Sequence, residues 1–143
     1  MSELAEAMAA IHAAAFARPG EAWSAEAFET LMSQAGIQAL VEAHGFVLIR
    51  TVADEAEILT LAVRPDARRR GWGQLLVERA VKAARGAGAG RLFLEVAADN
   101  EPALGLYGAC GFETAGRRPR YYDRGAEPPM DALLLVLNFA DGA

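Results

Sequence analysis

The stretch of sequence that decides the fold is Arg68-Arg69-Arg70-Gly71-Trp72-Gly73. An apolar run that ends at Val63 precedes it and predicts a strand, and apolar residues at helical spacing follow it over 75–84. The first turn of a helix carries backbone N–H groups that have no partner within the helix, and glycine allows a ligand to come close to them. The stretch therefore predicts an anion site, to which the arginines add positive charge.

The alternative for the same stretch is an ordinary exposed loop. Two common phosphate-binding motifs do not fit it, because it lacks the three glycines of G-x-G-x-x-G and no Gly-Lys-Ser/Thr follows it. A second glycine cluster at 86–90 follows a helix and precedes a strand, so no helix N-terminus faces a ligand there. That cluster predicts a turn.

Hydrophobic periodicity outward from this stretch predicts the order of the helices and strands. Ser2 and Ser24 are suited to cap two N-terminal helices, with Trp23 as a staple and Gly36 as the end of the second helix. The remaining elements are helices at 75–84 and 101–110 and strands at 37–43, 46–52, 57–63, 91–97, 112–122 and 132–139. The order ααβββαβαββ is typical of a mixed α/β layer fold with a mostly antiparallel sheet and one parallel crossover.

Length and composition predict a single domain over residues 1–143. Of the 143 residues, 53% are hydrophobic and 23% charged, and the net charge is −5, which favours a folded domain over a disordered chain. Cys110 is the only cysteine, so we expect no internal disulfide and a reducing cytoplasm as the location. His12 on a helix and His44 in a turn have no matching ligands, so no metal site is expected.

We expect neither a membrane nor a nucleic acid as a partner. The first twenty residues lack a basic start, which argues against a signal peptide, and the longest apolar run, at 132–137, is about a third of a membrane span. Residues 1–63 carry a net charge of −7 and residues 64–143 one of +2. The basic excess is local and suits one phosphorylated small molecule, whereas a nucleic-acid binder is usually basic overall.

Two blocks of sequence resemble the GNAT acetyltransferases. The first block, Arg68 to Gly73, is similar to the family's coenzyme A loop, Gln/Arg-x-x-Gly-x-Gly/Ala. The second block is similar to the family's fifth strand and fourth helix, and it comprises Leu94 to Tyr107 followed by Cys110-Gly111-Phe112. The resemblance narrows to the RimI-type ribosomal-protein alanine N-acetyltransferases. The residues that narrow it are Trp23-Ser24 near the start of the chain and Tyr121-Tyr122 and Asp131-Ala132 near its end.

The resemblance implies the GNAT fold, with about four helices on a mostly antiparallel sheet whose fourth and fifth family strands, here 57–63 and 91–97, splay apart. The chain departs from the family in two places. It begins almost directly with a helix, so we expect six strands without the family's first strand, and Asp123 stands where RimI-type proteins tend to have proline.

The resemblance also implies acetyl-CoA as the co-substrate, with no metal. Its pantetheine arm would add to the strand 61–63, and its pyrophosphate would lie on the N–H groups of 69–74. Asn100 matches a coenzyme-contacting asparagine and is also suited to cap a helix. The implied coenzyme-binding residues are Leu61, Ala62, Val63, Arg68, Arg69, Arg70, Gly71, Trp72, Gly73, Gln74 and Asn100.

Two residues match the catalytic pair of the family. Glu95 matches the general base that accepts a proton from the amine, and Tyr107 matches the acid that protonates the departing thiolate. The alternatives are a glutamate at the wet edge of a sheet and a core aromatic side chain. Glu57 is a fallback base on the preceding strand, and Cys110 is expected to be a buried thiol rather than a nucleophile.

The implied reaction is direct transfer of acetyl to the N-terminal amine of a protein, the alanine of a small-subunit ribosomal protein. An α-amine with a pKa of about 8 is more often neutral at pH 7 than a lysine with a pKa of about 10.4. Two rivals stay open: acetylation of a small-molecule amine or a lysine, and a non-catalytic module that senses acetyl-CoA. The acidic first half is suited to attract a basic peptide, and we expect a monomer or weak dimer.

Overall fold

The structure is a computed structural model that describes residues 2–16 and 21–139. Its helices and strands follow the predicted order, with a single 3-10 turn added at Pro65–Ala67. The helices are α1 Glu3–Ala15, α2 Ala25–Met32, α3 Trp72–Gly86 and α4 Glu101–Ala109. The strands are β1 Ile37–Glu42, β2 Gly45–Val52, β3 Glu55–Val63, β4 Arg91–Ala97, β5 Glu113–Tyr122 and β6 Met130–Asn138.

The six strands form one mixed sheet in the order β1-β2-β3-β4-β6-β5. Within the described part of the chain, the pairing of β3 with β4 is parallel and all other pairings are antiparallel. The parallel pairing covers only Glu55 with Arg91, Ala56 with Leu92 and Glu57 with Phe93, although β3 continues to Val63 and β4 to Ala97. The predicted six-stranded sheet with two splayed strands is therefore confirmed.

The helices cover the two faces of the sheet and build two hydrophobic cores. Val47 and Ile49 of β2 belong to the core under α3, whereas Phe46 and Leu48 belong to the core under α1 and α2. This alternation follows from the two-residue period of a strand, which places neighbouring side chains on opposite faces. In β4, Leu94 and its even-numbered neighbours are buried in the α3 core, so the odd-numbered residues face the α1 side.

The ends of the first two helices show which local predictions were right. Ser2 caps α1, and the Ser24 hydroxyl oxygen accepts a hydrogen bond of 3.1 Å from the Ala27 amide to cap α2. The Trp23 ring lies 5.5 Å from that of Phe28 and forms the predicted staple. The prediction for Gly36 was wrong, because α2 ends at Met32 with Ser33 as its C-cap.

Gly36 instead allows β1 to approach β2. Its φ is +82°, and its carbonyl accepts a hydrogen bond of 2.9 Å from the Thr51 amide. A Cβ atom at Gly36 would lie 2.4 Å from the Thr51 carbonyl oxygen. Glycine is needed here for two reasons, the left-handed backbone and the contact across the hairpin.

None of the helices within 2–16 and 21–139 is long and apolar enough to span a bilayer.

Substituting Gly36 and Gly71 separates these two reasons. Both have a left-handed backbone, with φ of +82° and +84°, but no atom of the described residues lies within 4 Å of a Cβ at Gly71. We expect Gly71→Ala to lower the free energy of unfolding by about 1 kcal/mol and Gly36→Ala by about 3 kcal/mol or more, because only the second adds a backbone clash. Urea denaturation of the two variants measures the difference, and equal losses would contradict this account.

Candidate active site

A cavity of about 760 Å³ opens where β3 and β4 separate. Each of the two strands contributes consecutive residues to its wall, and consecutive residues face opposite sides of a sheet. The cavity therefore joins the α3/α4 face to the α1/α2 face through the gap in the sheet. The lining comprises 58–61, 94–97 and 122–125 with His12, Phe16, Glu21, Trp23, Asn100, Ala103 and Tyr107.

On the α3/α4 side, α4 places Asn100 and Tyr107 at the cavity. The Asn100 side-chain oxygen accepts a hydrogen bond of 3.2 Å from the Ala103 amide, so it caps α4 as predicted. Tyr107 is only 6% exposed, and burial, with a smaller contribution from Cys110, raises the pKa of its phenol above the usual range. Its hydroxyl is therefore protonated at neutral pH, as a proton donor must be.

On the opposite side, Glu95 presents a carboxylate to the cavity. Its strand β4 lies between β3 and β6, and Glu95 pairs with Leu134 of β6 beyond the last residue that pairs with β3. One carboxylate oxygen, Oε1, lies 3.3 Å from Nη2 of Arg118 in β5. The other, Oε2, is buried and has no hydrogen-bond partner among residues 2–16 and 21–139. The site thus holds a carboxylate with one oxygen paired and the other buried without a hydrogen-bond partner among the described residues.

The fallback base and the cysteine lie outside this arrangement. Glu57 is ion-paired with Arg50, at 3.1 Å between Oε1 and Nη2, and does not line the cavity. Cys110 is half-buried, and burial raises the pKa of its thiol. Of the two candidate bases, Glu95 therefore lines the cavity and Glu57 does not.

Sequence reasoning missed a hydrogen-bonded wall on the α1/α2 side. His12 is buried, and its Nδ1 accepts a hydrogen bond of 3.0 Å from the Trp23 amide, while its Nε2 lies 3.0 Å from Thr60 Oγ1. Burial lowers the pKa of His12 to about 4, so the ring is neutral at physiological pH. A lone histidine on an amphipathic helix gives no signal of such a partner in a strand 48 residues away.

A second missed feature is the link between the β5–β6 loop and the start of α4. Arg124 forms two hydrogen bonds of 3.0 Å to the carboxylate of Asp99, and so joins these two parts of the rim. Tyr122 beside it is half-buried, and burial, followed by the charge of Glu95, raises the pKa of its phenol. With Glu21 and Asp123 also in the lining, acidic groups predominate over Arg124 within the described part of the cavity.

The predicted coenzyme loop lies beside this cavity rather than in its lining. The amides of Arg68 and Leu75 bond to backbone carbonyls, but those of 69–74 have no acceptor among the residues that the structure describes. Gly71, with φ of +84°, forms the N-cap of the 15-residue helix α3. The loop therefore offers a cluster of open N–H donors at a helix N-terminus, which is the geometry of an anion site.

Three residues of this loop have structural roles that the sequence did not indicate. Arg68 donates a hydrogen bond of 3.0 Å to the Ala15 carbonyl at the end of α1, and the Trp72 ring lies 4.8 Å from that of His44. A Cβ at Gly73 would lie 3.1 Å from Leu106, so this glycine allows α3 to pack on α4. A role of Gly73 in admitting phosphate stays a prediction.

The predicted pantetheine strand is the part of β3 that has left β4. Val63 and Ala62 still pair with Gly45 and Phe46 of β2, and Leu61 lines the cavity. The opposite backbone edge of 61–63 has no partner strand in the described structure. Such an edge can accept an extended ligand as an added strand. Of the predicted site residues, the cavity unites Leu61, Glu95, Asn100 and Tyr107.

Comparison with known proteins identifies the family. The acetyltransferase (GNAT) family matches the chain over residues 6–112, which include β3, β4 and the loop between them. The chain belongs to this family. Among the described residues, no group of three or more His, Cys, Asp or Glu side chains is placed to hold a metal ion.

Two curated relatives confirm the narrower resemblance to RimI-type proteins. The ribosomal protein bS18-alanine N-acetyltransferase of Salmonella typhimurium is 38% identical over 92 residues, which cover 64% of this chain and 62% of that protein. The N-alpha-acetyltransferase RimI of Mycobacterium tuberculosis is 40% identical over 93 residues, or 65% and 52% of the two chains. The matched part thus spans about half to three fifths of these relatives.

A solved structure agrees over a longer region. The crystal structure of the ribosomal-protein-S18-alanine N-acetyltransferase from Escherichia coli has a TM-score of 0.84 and 27% identity. The comparison covers 100% of this chain and 93% of that one. The predicted GNAT fold is therefore confirmed across the sheet and the helices that form the cavity.

The buried His12 predicts a loss of stability in mild acid. The unfolded chain protonates this histidine at a pKa of about 6.5, whereas the folded protein does so only at about 4. The unfolded state therefore binds more protons between these values, and stability that is complete above pH 6.5 is lost as the pH falls toward 4. Urea unfolding should show a loss of about 1 kcal/mol between about pH 7.5 and 5.5.

Two glutamine substitutions test the assignment of this loss. His12→Gln removes the buried titrating group and should abolish the loss, whereas His44→Gln leaves it in place. The same pH dependence in wild type and His12→Gln would contradict the assignment.

Proposed function

We propose that this protein is an acetyl-CoA-dependent N-acetyltransferase that acts on the N-terminal α-amine of a protein, the alanine of a small-subunit ribosomal protein. One observation carries the proposal: the cavity in the gap between β3 and β4 is lined by a protonated phenol from one face of the sheet and by a carboxylate with an unpartnered oxygen from the other. This arrangement suits a reaction in which two substrates meet from opposite faces. We place the reaction in the cytoplasm, where ribosomal proteins are made.

The open backbone groups at the cavity suit acetyl-CoA. The amides of 69–74 would hold its pyrophosphate, with the exposed Arg70 beside them, and the unpaired edge of 61–63 would hold its pantetheine arm. Asn100 lies farther along the cavity, at the start of α4. These residues bring the thioester into the gap between Glu95 and Tyr107.

The two catalytic side chains then divide the proton transfers. Glu95 Oε2 accepts a proton from the amine, directly or through a water molecule, while Arg118 holds Oε1. The amine nitrogen attacks the thioester carbon, the C–N bond forms and the C–S bond breaks. The coenzyme A thiolate leaves toward α4 and takes the hydroxyl proton of Tyr107. The products are the acetylated amine and free coenzyme A.

The electrostatics of the lining favour a cationic acceptor. Glu21, Asp123 and Glu95 outnumber Arg124 there, and Arg124 is itself paired with Asp99. An α-amine approaches mainly as an ammonium ion, but its pKa lies only about one unit above pH 7, whereas the pKa of lysine lies more than three units above it. Deprotonation at pH 7 therefore costs less free energy for the α-amine. A single glutamate is therefore better matched to a protein N-terminus than to a lysine.

Two peptides test the acceptor. One starts with a free alanine and contains lysines, and the other has the same sequence with its N-terminal amine already acetylated. We expect coenzyme A release from acetyl-CoA with the free peptide alone, because only its α-amine is readily neutral. Release with both peptides would indicate lysine acetylation. Release with neither, together with tight acetyl-CoA binding, would favour small-molecule amines as acceptors or a sensor without catalysis.

Substitution of the two catalytic residues tests the mechanism. Glu95→Gln and Tyr107→Phe should each lower kcat by roughly 100-fold, because each removes a proton-transfer group, while the KM for acetyl-CoA changes little. Glu57→Gln is the matched control, since Glu57 is a carboxylate of the neighbouring strand outside the cavity. Wild-type rates for Glu95→Gln with a loss in Glu57→Gln would assign the base to Glu57 instead.

A further inference from the structure

Thr60 lines the same cavity as Glu95, on the α1/α2 face of the sheet, where the acceptor would approach. The β2–β3 register shifts here, since Leu48 pairs with Thr60 and Ile49 with Ile58, and the Thr60 side chain lies against His12 of α1. Thr60 is 8% exposed, lines the cavity and contacts His12 of α1. The Thr60 hydroxyl and the Glu95 carboxylate thus belong to the wall of one cavity.

The hydrogen bonds around His12 determine the direction of this hydroxyl. The Trp23 amide can only donate, so Nδ1 of His12 carries no proton and accepts. The ring proton is therefore on Nε2, which donates to Thr60 Oγ1 over 3.0 Å. Thr60 is consequently the acceptor in that bond, and its own proton has no acceptor among the described residues. Because a buried donor without a partner is costly, a ligand in the cavity is expected to supply one.

We propose that the Thr60 hydroxyl donates a hydrogen bond to the carbonyl oxygen of the acceptor's first residue. This inference rests on the proposed function. It names the feature that distinguishes a protein N-terminus from other amines, namely a carbonyl group attached to the carbon that bears the amine. The attacking amine needs its lone pair for the thioester, so it cannot accept from Thr60 at the same time. The nearest acceptor in a peptide is the first carbonyl, which a lysine side chain and a simple alkylamine lack. His12 is the positioning residue that orients Thr60.

The test combines a change in the enzyme with a change in the acceptor. Thr60→Val replaces the hydroxyl by a methyl group of similar size, and Thr60→Ser is the control that keeps the hydroxyl. The acceptors are an alanine-initiated peptide and the same peptide with its first carbonyl reduced to a methylene. The reduction also changes the pKa of the amine, but this effect is common to all enzyme variants and cancels in the comparison.

We expect Thr60→Val to raise the KM for the normal peptide about tenfold, in line with one lost hydrogen bond, and to leave the KM for acetyl-CoA unchanged. Thr60→Ser should stay close to wild type. For the reduced peptide, wild type and Thr60→Val should have the same KM. If Thr60→Val does not fold, Thr60→Ala takes its place, because it leaves room for a water molecule to accept from His12.

Three results would overturn the proposal. The first is an equal loss with both peptides, which would mean that Thr60 acts without contacting the carbonyl. The second is a rise in the KM for acetyl-CoA instead of the peptide, which would place the bond on the coenzyme. The third is an unchanged KM in Thr60→Val. Failure of the proposed function is distinct from these results because it is seen in wild type, either as no transfer to the alanine-initiated peptide or as equal transfer when its α-amine is already acetylated.

Discussion

The pairing of β3 with β4 ends after three residue pairs, and the arrangement of the candidate active site depends on that break. Buried backbone N–H and C=O groups need partners, so a strand that leaves its neighbour inside a sheet needs another group to bind. β3 keeps its place because β2 holds its other edge as far as Val63. The break can therefore open a cavity without unravelling the strand, and the free edge is available for an extended ligand.

The two hydrophobic cores give the cavity two chemically different ends. The core under α3 continues to Tyr107, whose burial keeps a phenol protonated. The core under α1 and α2 surrounds His12, whose burial keeps its imidazole neutral and in contact with the Thr60 hydroxyl at the cavity. Both groups are held in one protonation state by desolvation rather than by a charged partner. The phenol and the imidazole are thereby held in fixed protonation states on opposite faces of one sheet.

Much of the fold could be predicted because its signals are local. The strand 91–97 was predicted with the bounds that the structure shows, since alternation of apolar residues reports a half-buried strand directly. Ser2, Ser24 and Asn100 were predicted as caps because a cap bonds to an amide only a few residues away. Gly36 was misassigned because the partner that requires glycine there, Thr51, belongs to the next strand.

The sequence by itself determined the order of elements, the helix caps and, through its motifs, Glu95 and Tyr107 as candidates. Only the tertiary structure decided the side-chain contacts at the cavity. These are Arg118 with Glu95, His12 with Thr60 and Arg124 with Asp99. The physical reason is separation along the chain. Capping and periodicity act within a turn of helix or a few strand residues, whereas the His12–Thr60 and Arg124–Asp99 contacts join residues 48 and 25 positions apart. Their formation depends on how the helices pack on the sheet, which no local pattern encodes.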